Sequence, residues 1–95
     1  MMSYFVISYN IDETEDEVIG VIKSLGDCKQ YVNNGWILKS TSENSQSIYE
    51  RLRSFFQEGS GHLLVSKIDK SDMAGWLASD VVDWLTSEED DDKKN

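Results

Sequence analysis

Ninety-five residues, 39% of them apolar, with three Trp, four Tyr and three Phe, make one small domain around a single core. Eighteen acids against nine bases leave a net charge of −9. That field opposes a nucleic-acid backbone unless a metal or a local basic patch offsets it, and it favours partners with basic surfaces. No apolar run approaches the roughly 18 residues of a membrane helix, so no membrane association is expected. The first residues lack the basic-then-apolar pattern of a secretory signal, and the single cysteine, Cys28, has no internal partner for a disulfide, so a cytoplasmic protein is expected.

Residues 4–9, YFVISY, are aromatic and β-branched, the composition of a strand buried on both faces. In the following DETEDEVIGVIKSLGD, acids crowd the first turn and Thr14 and Glu17 stand at capping-box spacing. Val18, Ile22 and Leu25 repeat at helical spacing, and Gly26 is a natural stop, so an amphipathic helix of about three turns is expected. CKQYVNNGWILKS reads as two strands around Asn33-Asn34-Gly35, residue types that take the positive φ angles of a tight hairpin.

A second helix is expected from a cap at Thr41 or Ser42 to Gly59, with Ile48, Leu52, Phe55 and Phe56 on its inner face. Residues 62–68, HLLVSKI, read as a further short strand. Met73 to Leu77 are expected to form a turn that packs Trp76, ahead of a short helix from about Asp80 capped by Ser79, with Val81, Trp84 and Leu85 facing in. Residues 88–95, EEDDDKKN, hold five acids and two lysines and are expected to be a disordered acidic tail, which leaves −6 on the single domain of residues 1–87.

The order β-α-β-β-α-β implies an α+β fold of the ferredoxin-like type. It is a four-stranded antiparallel sheet in order 4-1-3-2, with two helices on one face and a short C-terminal helix besides. The opening strand is then central, which accounts for its apolar character on both faces. The second face needs a cover, supplied by the C-terminal segment or by a dimer partner.

YFVISYNI as first strand, GWILKS after a hairpin, HLLVSKI as last strand and the following AGWLASDVVDWL together resemble a superfamily of small ferredoxin-like proteins. It comprises relatives of the CRISPR-associated adaptation endonuclease subunit and of virulence-associated protein D, and the resemblance is closest to uncharacterised bacterial and phage members. It spans about Tyr4 to Leu85. It implies a homodimer and, in nuclease members, an aspartate at the end of the first strand that holds a divalent metal with its counterpart in the second chain. The matching position here is Asn10. A neutral amide oxygen lacks the charge that makes a carboxylate a good magnesium ligand, so the departure falls on the residue that matters most to cleavage. Asp12 is the nearest acid, two residues on, and is equally a helix N-cap.

Other candidates are sparse. His62, the only histidine, stands at the entry to the last strand, either as a general acid–base or as a solvent-facing residue. Lys39 and Lys67 lie on the strands expected to flank the first. If they share the open face with Asn10 they form a phosphate-facing pair; otherwise they are solvated strand-end lysines. Trp76 and Trp84 are expected to pin the C-terminal segment to the sheet or to a partner chain. Cys28 has no ligand-spaced neighbour, and GSGH at 59–62 lacks the Lys-Ser/Thr of a phosphate loop and precedes a strand.

Two functions compete. One is a non-catalytic, homodimeric protein-binding module without cofactor or metal, whose partner has a basic surface, as would suit a phage or bacterial antagonist of a nucleic-acid-binding machine. The other is a magnesium-dependent endoribonuclease working through Asp12 or His62.

Overall fold

The first strand, β1 (Ser3–Asn10), runs through the middle of the molecule, and its pattern of burial organises the rest. The computed structural model of the chain describes residues 2–11, 14–56 and 61–94, with side-chain surroundings through Thr86. After β1 come α1 (Glu15–Leu25), the hairpin strands β2 (Asp27–Val32) and β3 (Gly35–Ser40), and α2 (Ser45–Leu52), which ends in a 3₁₀ turn at Arg53–Phe55. Then follow β4 (His62–Ile68), a second 3₁₀ turn at Lys70–Asp72 and α3 (Ser79–Lys94).

The four strands form one antiparallel sheet in the order β2-β3-β1-β4, which counted from the β4 edge is 4-1-3-2. Side chains alternate across a strand, so the register assigns each residue to a face. Phe5, Ile7 and Tyr9 of β1 stand beside Leu38 and Trp36 of β3 on one face, and Val18 and Ile22 of α1 with Ile48 and Leu52 of α2 close over them as the main core. Tyr4 stands beside Ile37 on the opposite face, where Val81 and Leu85 of α3 cover a second, smaller core. Full burial of such aliphatic side chains contributes about 1.5–3 kcal/mol each.

The helix ends differ from those read in the sequence. Thr14 precedes α1 but makes no capping bond; its hydroxyl donates instead to the carbonyl of Phe55 at 3.1 Å, tying the two helical segments together. The cap of α2 is Asn44 rather than Thr41 or Ser42. Its side-chain oxygen accepts from the Ser47 amide at 2.8 Å, and the Ser47 hydroxyl accepts from the Asn44 amide at 2.9 Å. Gly26 ends α1 in an extended conformation, and its need for glycine is steric: a Cβ there would collide with the backbone oxygen of Lys39. The expected end of α2 at Gly59 lies outside the described residues.

The C-terminal segment departs most. Met73 to Ala78 cross the sheet without regular structure, and Trp76 is 99% exposed, so it packs on nothing in this chain. Leu77, not Trp76, packs against the sheet. From Ser79 the chain is helical to Lys94.

Candidate functional site

The polar end of β1 gathers two of the candidates. Asn10 pairs directly across from His62 in the β1–β4 ladder, both are exposed, and with Ser8, Asn34, Val32 and Leu64 they line a concavity of about 440 Å³. One acid–base group and several neutral hydrogen-bonding groups are thus brought together without a carboxylate among the described lining residues. Among the described residues no cluster of three or more His, Cys, Asp or Glu side chains could hold a metal ion. Asp12 lies outside the described residues.

The two lysines do not join this end. Lys39 pairs with Tyr4 and so shares the face of Asn10, but six residues away along β1, about 20 Å at strand rise. It is only 2% exposed. Its ammonium donates to the carbonyl of Trp84 at 2.6 Å and lies 4.1 Å over the Trp84 ring, so α3 occupies the place a phosphate would need. Lys67 pairs with Phe5 and therefore belongs to the opposite face, where it is exposed. The one-residue alternation of a strand separates the pair, and no phosphate-facing set forms from them.

Trp84 packs half-buried against the second core. Lys70 completes that arrangement and was not read from the sequence: its ammonium donates to the Leu85 carbonyl at 2.7 Å and lies 4.7 Å over the Tyr4 ring. Nothing local marks Lys70 out, since its partners are 66 and 15 residues away in the chain. On the helix side, the buried Tyr9 hydroxyl accepts from the Trp36 indole at 3.3 Å and donates to Glu15 at 3.1 Å. Burial raises the Tyr9 phenol above its ordinary value of 10.0; the Trp36 bond works against this and the Glu15 carboxylate adds to it. That network joins β1, β3 and α1, and Tyr9 itself also borders the concavity at the Asn10–His62 end.

The face that α3 covers is covered only in part. Val6, Ile37, Tyr31 and Ile68 floor a groove of about 500 Å³ whose wall is the chain from Asp72 to Leu77. Beyond it Leu64 is 62% exposed and Val32 54% exposed, and Trp76 projects from the wall. Asp72 is the acid that lines the groove; Asp69 precedes and Asp80 follows the wall segment in the chain. Hydrogen bonds from the Ser71 hydroxyl and amide, then the charge of Lys67, hold Asp69 below its ordinary 3.8. Asp80 is held below the same value chiefly by its bond to Lys29, 3.0 Å away.

Among the described residues no helix is long and apolar enough to cross a membrane. In comparisons with known protein families, curated proteins and solved structures, the chain matches none.

Proposed function

We propose that this chain is a non-catalytic protein-binding module of ferredoxin-like architecture, related to the superfamily its strand motifs resemble, that takes a partner with a basic surface. The observation that carries the reading is the half-open sheet face: an apolar groove of about 500 Å³, bordered by the carboxylate of Asp72 and lying beside a fully exposed Trp76, on a chain of net charge −9. An exposed tryptophan and contiguous apolar ground are features of interfaces rather than of isolated surfaces. The net negative charge of the chain favours basic partners and speeds their approach. Machines that bind nucleic acid present such surfaces, because phosphates are neutralised by Lys and Arg, and a chain of this kind acts on them as an antagonist.

The alternative, a metal-dependent endoribonuclease, stands on the facing pair Asn10 and His62. Magnesium there would need a carboxylate, and Asp12, two residues on in the chain, is the nearest acid in sequence. One set of measurements separates the two. Labelled single-stranded RNA and duplex DNA are incubated with the wild type, Asp12→Ala and His62→Ala, with magnesium, manganese or chelator. In parallel, a basic peptide with interspersed leucines is titrated against the wild type and Trp76→Ala. The binding module requires no cleavage, and peptide binding that weakens with salt and in Trp76→Ala. Metal-dependent cleavage abolished by Asp12→Ala or His62→Ala would overturn it.

A further inference from the structure

The tip of the β2–β3 hairpin carries a dipeptide that the fold itself imposes. Asn33 and Asn34 alone join the two strands, between the facing residues Val32 and Gly35. Such a tip needs backbone angles that asparagine and glycine adopt readily. Gly35 is also fixed by packing: a Cβ there would stand 2.6 Å from Val32 Cγ2 and 2.8 Å from Tyr31 Cε1. The hairpin therefore keeps a glycine directly after an asparagine, an order in which no side chain shields the following amide nitrogen.

Asn34 differs from the other described asparagines. Its backbone carbonyl is held by the Tyr9 amide at 3.0 Å, and that of Asn33 by the Gln30 side chain at 2.9 Å. Asn34 is exposed, and its side chain makes no hydrogen bond among the described residues. By contrast, the side-chain oxygen of Asn44 accepts from the Ser47 amide, Asn10 precedes the β-branched Ile11, and Asn33 precedes Asn34. The pair Val32–Gly35 closes the ladder at its weak end. β2 is an edge strand, its register shifts between Gln30 and Val32, and Val32 is 54% exposed. Local opening there frees the Gly35 amide without unfolding the sheet.

We propose that Asn34 is a site of spontaneous deamidation, which turns the neutral concavity at the end of β1 into one that holds a carboxylate. Hydroxide removes the Gly35 amide proton, and the nitrogen attacks Asn34 Cγ. A C–N bond forms, the side-chain nitrogen leaves as ammonia with a proton from water, and a five-membered succinimide remains. Water then opens the ring. Cleavage of the new bond gives aspartate; cleavage of the original main-chain bond gives isoaspartate, in which the chain runs through Cγ. An amide is exchanged for a carboxyl with no change of oxidation state. Asparagine counts among the thermally labile residues.

The place of Asn34 gives the change its consequence. It lines the concavity of about 440 Å³ with Ser8, Asn10 and His62, and no carboxylate stands among the described lining residues. Asn34 lies on the β3 side of β1 and His62 on the β4 side, so the product sets an acid and an imidazole on the two flanks of that strand. One more negative charge joins a chain of net −9. The concavity changes from a site for neutral hydrogen-bonding groups into one that favours cationic ligands. It is separate from the groove proposed to bind a partner protein, so each is tested without the other.

The test is incubation of the full folded chain at mildly alkaline pH, on the wild type and Asn34→Gln, followed by trypsin and mass spectrometry of the peptide from Gln30 to Lys39. The expected result is first-order conversion at Asn34, at least tenfold faster than at Asn10, Asn33 or Asn44 and faster as pH rises, with both aspartyl and isoaspartyl products. Asn34→Gln, whose longer side chain closes a ring less readily, is expected to leave the peptide intact over the same period. Asn34→Asp reproduces one product directly. As its new carboxyl is titrated, the NMR signals of the Asn10 side-chain amide and the His62 ring are expected to move in a way absent from the wild type. An Asn34 that converts no faster than Asn44 overturns the inference, as does conversion of the peptide that persists in Asn34→Gln. So does an Asn34→Asp variant with wild-type circular dichroism in which neither signal responds to that carboxyl.

Discussion

Two glycine-to-alanine changes are expected to move stability in opposite directions, and the structure supplies the reason for each sign. At Gly26, between α1 and β2, an added Cβ would meet the Lys39 backbone oxygen head-on and the Leu38 Cδ1 at 3.4 Å. The obstacle is backbone, held in the β2–β3 ladder through the Asp27–Lys39 pair, and has little room to yield. Forcing an extra methyl into such a site costs about 1–3 kcal/mol. The lower entropy of the unfolded alanine chain returns about 0.4–1 kcal/mol, leaving a net loss of about 1–2 kcal/mol. At Gly20, in the middle of α1 and exposed, a Cβ meets nothing within 4 Å. There alanine adds about 0.8–1 kcal/mol of helix preference with no clash. Thermal denaturation followed by tryptophan fluorescence and far-ultraviolet circular dichroism measures both. Gly26→Ala is expected to lower Tm by roughly 5–15 °C and Gly20→Ala to raise it by roughly 4–8 °C. Stabilisation by Gly26→Ala, or equal effects at the two sites, would refute the close approach of α1's end to β3.

Lys39→Ala is expected to cost about 2–4 kcal/mol, through loss of the charged bond to the Trp84 carbonyl, the ring contact and the buried stem. Lys29→Ala, which breaks only the exposed bridge to Asp80, should cost less than about 1 kcal/mol; parallel denaturation curves compare them. Asn44→Ala removes the capping box of α2 and should cost about 1 kcal/mol by the same assay, whereas Ser42→Ala should be nearly silent. Asp69 and Asp80 have folded pKa values below their ordinary 3.8. Each therefore binds protons less readily folded than unfolded, and its stabilising effect is present above about pH 4 and lost as pH falls through the lowered folded value. Carboxyl titration by NMR should place both midpoints under 3.8, and Ser71→Ala should bring that of Asp69 back up.

The elements were legible because their signals are local. The two periodicities, the Asn33-Asn34-Gly35 turn and the apolar character of β1 rest on neighbours in the chain, and Ile48, Leu52, Val81 and Leu85 lie on the inner faces that their spacing indicated. The capping of α2 by Asn44 rather than Thr41 or Ser42 shows where local signals compete. Several residues in that stretch are suitable caps, and the bonds from Ser42 and Glu43 amides to the Ser40 hydroxyl carry the turn past the first of them. The bringing together of Asn10 and His62 depends on pairing β1 with β4, across 52 residues, and no local pattern sets that register.

The candidate site divides in the same way. Sequence alone established that the first strand ends in an amide, Asn10, that the chain is strongly acidic and that aromatic residues crowd the C-terminal segment. Those are properties of composition and order. Tertiary structure alone decided that Lys39 is buried beneath Trp84 while Lys67 stands on the other face, because strand register assigns sides and a helix from the far end of the chain takes the ground beside one lysine only. It also decided that Trp76 is bare and Leu77 is the anchor, since which of two adjacent apolar residues turns inward depends on the surface that the chain meets.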